Sequence, residues 1–274
     1  MTEKQERLVK AYDAEAWPLY GGRFAEMISA VFAPRPAARV LVVGGATGLL
    51  PLALARALDA DSRLSTFDSA PTLVAQARRC IESDPANAAR ISVAEVSAAA
   101  PLPVAPGSFT SAVFNGGAGE GISADDVLIE LSRALRPGGQ LIAALPLRGS
   151  WAEFLDIYRG VLRDNRKADG LAALERYVAT LPVDDAPAAA LERAGMRNVQ
   201  MTVQRWELLF KSAREFFFAP VIELGPLTRW KAIAGRGDEM QDIFFFIKEA
   251  IDAYFAGGVF GVSVVAGCVS ATKA

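Results

Sequence analysis

The stretch from Arg39 to Leu50, RVLVVGGATGLL, decides the fold of this chain. It opens with the apolar run Val40 to Val43, and a short β-branched run is typical of a strand buried on both faces. The run ends in the glycine-rich segment Gly44 to Gly48, after which leucine and alanine recur at helical spacing. The stretch therefore predicts a strand, a tight turn and a helix in succession.

The predicted turn suits a bound ligand. Glycine lacks a Cβ and tolerates positive φ, so backbone amides there can approach a ligand closely. The helix that follows presents unpaired N–H groups and the positive end of its dipole. Pro51 fits the first turn of that helix, where its missing donor costs nothing. A glycine turn also follows strands for purely structural reasons, and the turn alone leaves that alternative open.

The composition of the chain limits the kinds of protein that it can be. The chain has 274 residues, of which 52% are hydrophobic and 22% charged, and this favours one large α/β domain, alone or with a cap, over disorder. The net charge is −2 and no basic stripe stands out, so we expect no nucleic-acid partner. Cys80 and Cys268 have no CxxC spacing, which indicates a reduced compartment.

The chain has no histidine. Mechanisms that need an imidazole base, a Ser-His pair or a histidine-ligated metal are therefore excluded, and with two distant cysteines we expect no metal site. The N-terminal residues lack an apolar signal core. The uncharged stretches 40–55 and 257–272 follow strand patterns with several glycines, so we expect a cytoplasmic protein without a membrane span.

Strand and helix patterns alternate along the chain. Strands are predicted at Arg39–Gly45, Arg63–Asp68, Ile91–Val96, Ser111–Asn115, Gln140–Leu145, Val199–Phe210 and Val259–Ala271. Helices are predicted at Leu49–Leu58, Pro71–Ser83, Ser123–Leu135, Trp151–Arg163, Leu171–Thr180 and Asp238–Phe255, with a turn at Arg136–Gly139. This alternation predicts an α/β, doubly wound, seven-stranded and mostly parallel sheet, with the C-terminal strand antiparallel.

The N-terminal residues 3–31 have a helical pattern that Trp17-Pro18 and Gly21-Gly22 are expected to interrupt. We interpret this segment as a lid or cap, and an ordinary packing helix is the alternative. The predicted division is an N-terminal helical cap at 1–36 and an α/β domain at 37–274.

Asp68 ends the second predicted strand, 24 positions after Gly44. An acid about 20 residues beyond a glycine turn, at the end of the next parallel strand, is placed to accept hydrogen bonds from a ribose diol. The alternative is that Asp68 only caps the helix that begins at Pro71. Ser69 is also a suitable cap, and with Ser69 in that role the aspartate is left for a ligand.

Four segments together resemble the class I S-adenosylmethionine-dependent methyltransferases of the small-molecule type. They are VLVVGGATG at 40–48, LSTFDSAP at 64–71, LPVAPGSFTSAVFN at 102–115 and LSRALRPGGQLIAALP at 131–146. The segment AYDAEAWPLYGGRF at 11–24 is similar to the N-terminal helical cap of that family. The resemblance implies a Rossmann-like methyltransferase fold, with a strand, helix and strand after the fifth strand.

The chain departs from the family pattern at several positions. Val42 stands where the family usually has an acid, Ala46 replaces the middle glycine of the turn, and Thr110 replaces an aspartate. The acid that usually follows the third strand has no clear match at 95–98. These replacements bear on how tightly a cofactor is held.

The resemblance also implies a cofactor and a set of binding residues. The cofactor is S-adenosylmethionine, whose sulfonium methyl is attacked in line by the substrate. The implied cofactor-binding residues are Tyr12, Tyr20, Gly44, Gly45, Thr47, Gly48, Asp68, Ser69, Val96, Ser97 and Asn115. No catalytic residue is identified. Glu120 is the best-placed candidate for a base, and a solvated loop charge is its alternative role.

Residues 206–256 are rich in aromatic side chains. Domain packing, an apolar substrate pocket and an interface with a second copy or another protein are the alternatives. Two functions follow: methyl transfer to an apolar or aromatic small molecule, or a non-catalytic methyltransferase-like binding or interaction module. A nucleotide-dependent oxidoreductase is disfavoured by the strand, helix and strand that end the chain, and also because Gly44, Ala46 and Gly48 do not give GxGxxG.

Overall fold

The computed structural model describes residues 2–96, 101–118 and 124–274. Its strands are β1 Arg39–Val43, β2 Arg63–Asp68, β3 Ile91–Glu95, β4 Phe109–Asn115, β5 Leu135–Pro146, β6 Arg197–Phe210 and β7 Phe260–Thr272. Its α-helices are α1 Glu3–Ala11, α2 Gly22–Val31, α3 Leu49–Arg56, α4 Pro71–Glu82, α5 Pro85–Ala88, α6 Ala124–Ala134, α7 Ala152–Asp164, α8 Ala168–Thr180, α9 Ala186–Arg193, α10 Ala213–Phe218, α11 Pro220–Glu223, α12 Leu227–Ala234 and α13 Gly237–Tyr254. A π-helix, Tyr12–Gly21, joins α1 to α2, and a short 3₁₀ turn, Gly116–Ala118, follows β4.

The strands form one seven-stranded sheet in the order β3-β2-β1-β4-β5-β7-β6. Strand β1 lies at the centre of the parallel part, where Val40 pairs with Leu64 of β2 and with Ser111 of β4. The pairs β2–β3 and β4–β5 are parallel too. Val40 to Val43 are buried, as expected for a parallel strand covered on both faces. The predicted fold class is confirmed.

Strand β7 runs antiparallel to β5. The amide of Lys273, just after β7, donates to the carbonyl of Gly139 near the start of β5, at 2.9 Å. At the other end, the amide of Leu147 donates to the carbonyl of Val265, at 2.8 Å. The start of one strand therefore pairs with the end of the other, as the sequence predicted for the C-terminal strand.

The Arg136–Gly139 segment is part of β5, and the prediction of a separate turn there was wrong. Phe109 of β4 pairs with Leu135, whereas Ser111 pairs with Gln140. A single residue of β4, Thr110, therefore lies opposite the four residues Arg136–Gly139 of β5, and the Pro-Gly-Gly segment forms a bulge within the strand. Gly138 has a φ of +72°, a conformation that glycine supplies without strain.

The N-terminal segment is helical without the predicted interruption. Trp17-Pro18 lies inside the π-helix rather than at a break, and Gly21 and Gly22 continue the helical backbone into α2. Pro18 has no N–H to donate, so one backbone hydrogen bond of the π-helix is missing there while the helical backbone continues. Such segments often mark functional sites.

The chain divides into two compact units. The first comprises 1–145, 184–203 and 267–274, and the second comprises 146–183 and 204–266. The predicted division at residue 36 stays a prediction. None of the helices in the described part of the chain is long and apolar enough to cross a membrane.

The second unit has an aromatic core. The rings of Phe154 and Trp230 lie 4.1 Å apart, and Phe216 packs 5.0 Å from Phe154. All three side chains are fully buried, so this part of the aromatic-rich region packs the unit. Other aromatic side chains of the same region are exposed, namely Phe218, Phe245, Phe246 and Tyr254.

Candidate functional site

The glycine turn joins the carboxyl end of β1 to α3. Gly44 and Gly48 have φ values of +75° and +96°, which glycine adopts without a steric penalty. Ala46 also has a positive φ, +48°. The replacement of a glycine by alanine at this position therefore carries a left-handed strain of roughly 1 kcal/mol.

The turn glycines are needed by the packing of the protein itself. A Cβ on Gly44 would collide with the backbone carbonyl of Asn115, and one on Gly45 with the Thr66 hydroxyl. A Cβ on Gly48 would lie 3.0 Å from the Cα of Ala77 in α4. The glycines bring β1, β2, β4 and α4 close together, so their presence does not by itself indicate a ligand.

Asp68 ties the end of β2 to the glycine turn. One carboxylate oxygen accepts from the amide of Ala46 at 3.1 Å, and the other accepts from the amide of Ala70 at 3.0 Å. The bond to Ala70, just before α4, is the local turn that aspartate favours, so Asp68 orders the start of this helix as well. Burial raises the pKa of Asp68 to about 6, against the opposing effect of the backbone hydrogen bonds.

The side chain of Tyr12, in the π-helix, lies close to the Asp68 carboxylate. Its side chain is 4% exposed, and its hydroxyl is buried without a hydrogen-bond partner among the described residues. Gly21 makes room for that hydroxyl, since a Cβ there would lie 2.7 Å from it. Burial raises the pKa of Tyr12, and the nearby carboxylates of Asp13 and Asp68 raise it further.

Asp13 was not among the predicted site residues. The side-chain amide of Gln76, in α4, donates to one carboxylate oxygen of Asp13 at 3.1 Å. Burial raises the pKa of Asp13, and Thr47 and Gln76 oppose that rise. Thr47 therefore lies beside the carboxylate, yet the second oxygen of Asp13 has no hydrogen bond of good geometry within the described ranges. The only sequence signal for Asp13 was its position next to Tyr12.

Asn115, the last residue of β4, lies beside Gly44 of the glycine turn. Its side chain is 1% exposed, and its carbonyl oxygen accepts from the amide of Gly117 at 3.2 Å. Its amide nitrogen is buried and has no partner in the part of the chain that the structure describes. Buried donors are normally paired, so an unpaired one at this position suits a ligand acceptor.

Two more of the predicted binding residues, Val96 and Tyr20, lie within the described ranges. The amide of Val96 donates to the backbone carbonyl of Asp68 at 3.0 Å, which places Val96 beside Ser69 at the end of the sheet. Tyr20 is buried, with its ring 5.1 Å from that of Phe24. Ser97 and Glu120 lie outside the described residues, and so does Ser123, the predicted cap of α6.

The site is acidic and has no cation paired to it among the described residues. The groups that act on Asp13 and Asp68 are backbone amides and neutral side chains, with no Lys or Arg among the described residues paired to either carboxylate. Val42, at the position of the missing first-strand acid, is fully buried. Across the described ranges, no group of three or more acidic or cysteine side chains converges as metal ligands.

Comparison with known proteins agrees with this geometry. Residues 40–139 match a family model described as a methyltransferase domain. No curated protein is significantly similar in sequence. Among solved structures, the chain is similar to a protein of Bacillus halodurans C-125 that is provisionally assigned as a methyltransferase, with 17% identity and a TM-score of 0.58 over 91% of this chain and 98% of the other.

Two further structures share the fold. One is geranyl diphosphate C-methyltransferase from Streptomyces coelicolor A3(2), in complex with Mg²⁺, geranyl diphosphate and S-adenosyl-L-homocysteine, at 11% identity and a TM-score of 0.51. The alignment covers 91% of this chain and 76% of that enzyme. The other is the [4+2]-cyclase SpnF, at 19% identity and a TM-score of 0.51 over 92% and 80% of the two chains. The family that the sequence resembles and the family model agree: residues 40–139 match the methyltransferase domain, and the solved structures share the fold.

Proposed function

We propose that the protein is an S-adenosylmethionine-dependent methyltransferase whose cofactor binds at the glycine turn. The observation that carries this proposal is the set of buried polar groups left unpaired around the turn. The Tyr12 hydroxyl and the Asn115 amide nitrogen have no partners among the described residues. Leaving a buried polar group unpaired costs about 1–3 kcal/mol, so a polar ligand that pairs them would bind favourably.

The residues present fit this cofactor. Asp68 holds the turn through one hydrogen bond on each carboxylate oxygen, and each oxygen has a further lone pair for a ribose hydroxyl. Asn115 and Tyr12 supply donors, and Thr47 supplies a hydroxyl. Gly44, Gly45, Gly48, Ser69, Val96, Ser97 and Tyr20 complete the proposed binding set. When bound, the cofactor supplies an activated methyl group, and the chain's own residues bind it, orient it and exclude water.

We infer an apolar or aromatic small molecule as the methyl acceptor. The high aromatic content of residues 206–256 supports this substrate class. One structural neighbour is bound to geranyl diphosphate, which carries an apolar geranyl chain. The two free cysteines support a cytoplasmic location.

A non-catalytic methyltransferase-like module is the second candidate. Two observations favour it: Ala46 adopts a positive φ, and the packing of the protein alone accounts for the turn glycines. A neighbour of the same fold is a [4+2]-cyclase. In this case the exposed Phe218, Phe245, Phe246 and Tyr254 would bind a second copy or a partner protein.

Calorimetric titration with S-adenosylmethionine and S-adenosylhomocysteine separates the two candidates. We expect saturable binding of both, weakened at least about tenfold in Asp68→Asn because a charged acceptor is lost. The matched control is Asp61→Asn, an exposed acid of the same first unit, which should bind like the wild type. Gly44→Val is not a usable control, because its side chain would collide with Asn115. No heat at millimolar ligand would favour the non-catalytic module.

A further inference from the structure

The carboxylate of Asp13 lies at the glycine turn without a charge of opposite sign. It contacts Gln76 and Thr47, and both side chains are neutral. Tyr12, beside it, is under the influence of a second carboxylate, that of Asp68. A desolvated carboxylate is normally paired, hydrogen-bonded on both oxygens or neutralised by a proton. Asp68 meets this condition through its two backbone amides, whereas Asp13 does not, so the second oxygen of Asp13 favours a ligand that carries a positive charge.

We propose that Asp13 binds the α-ammonium group at the amino-acid end of S-adenosylmethionine. This inference rests on the proposed function and adds a residue that determines specificity within that site. The N-terminal helical segment would then supply the carboxylate that the first strand lacks, since Val42 is apolar and fully buried.

The contacts favour Asp13 over Asp68 for this role. Both oxygens of Asp68 already accept backbone amides, of Ala46 and Ala70. Asp13 has a single hydrogen bond of good geometry, from Gln76, and its other oxygen is buried and unpaired within the described residues. An ammonium group has three donors and no acceptor, so it matches an oxygen that lacks a donor.

The N-terminal segment is also held in a position from which Asp13 can act. Gln76 and Arg79 of α4 anchor it, through the bond to Asp13 and through an ion pair of 2.9 Å between Arg79 and Glu6. The Thr47 hydroxyl beside Asp13 is buried, which fixes this carboxylate against the turn. The buried Tyr12 hydroxyl, which has no partner among the described residues, is a second observation that points to a polar ligand here.

The test compares two ligands on three proteins by calorimetry. The ligands are S-adenosylhomocysteine and its deamino analogue, in which hydrogen replaces the α-amino group. Neither carries the sulfonium charge, so any difference between them reports on the ammonium group. The proteins are the wild type, Asp13→Asn and the control Glu15→Gln, an exposed acid on the same π-helix. Thermal unfolding of each variant checks that it is folded.

We expect Asp13→Asn to bind S-adenosylhomocysteine about tenfold to a hundredfold more weakly than the wild type and the deamino analogue equally well. Glu15→Gln should match the wild type with both ligands. If the wild type binds S-adenosylhomocysteine and Asp13→Asn binds it equally well, or loses both ligands equally, the assignment of Asp13 is wrong while the proposed function stands. A wild type that binds neither ligand overturns both.

Discussion

At the scale of single residues, the site depends on Asp68, a buried aspartate that hydrogen-bonds to the glycine turn and to the start of α4 without a ligand. Asp68 accepts the amides of Ala46 and Ala70 and is 8% exposed. Its burial raises its pKa from 3.8 to about 6, so the protonated form is favoured in the folded protein more than in the unfolded chain. The contribution of Asp68 to stability is therefore greatest below about pH 4 and falls as the pH rises through 6.

This linkage predicts a pH-dependent difference between the wild type and Asp68→Asn. Between pH 4 and pH 7, the free energy of unfolding of the wild type should fall relative to that of the variant by up to about 3 kcal/mol. Urea denaturation of both proteins at pH 4, 5, 6 and 7 measures it. Parallel stability curves over that range would show that Asp68 does not titrate as the structure indicates.

At the scale of elements, the glycine turn and α4 are fitted to each other. Gly48 combines a φ of +96° with a tight backbone contact, because a Cβ there would lie 3.0 Å from the Cα and the carbonyl oxygen of Ala77 in α4. Gly107 has a similar φ, +65°, but nothing lies within 4 Å of an added Cβ. A comparison of alanine substitutions at Gly48 and Gly107 therefore separates the cost of backbone strain from the cost of crowding between elements.

Gly48→Ala should destabilise the protein clearly more than Gly107→Ala. We expect a loss of about 1 kcal/mol from the positive φ in both variants, and a further 1–3 kcal/mol from overpacking in Gly48→Ala alone. Chemical denaturation of the two variants and the wild type gives the comparison. Equal losses would mean that α4 moves away from the turn at little cost, which contradicts the close fit.

At the scale of the whole molecule, apolar periodicity was enough to predict the order of the strands, and the antiparallel C-terminal strand was predicted from the strand-helix-strand ending that resembles the methyltransferase family. The bulge of β5 was missed because Arg136–Gly139 has the composition of a turn, and only pairing with Phe109 and Ser111 shows that the strand continues. The π-helix was missed because Trp17-Pro18 normally ends a helix. Asp13 was missed because its contact with Gln76 arises from tertiary packing that no local pattern reports.

The central claim, that the turn after β1 is a cofactor site, is tested most directly by a crystal structure of the protein grown with S-adenosylhomocysteine. We expect the ribose hydroxyls within hydrogen-bond distance of the Asp68 carboxylate, and a ligand acceptor paired with the Asn115 amide nitrogen. Density for the ligand at another place, or none at saturating concentration with the Tyr12 and Asn115 groups still unpaired, would contradict the account.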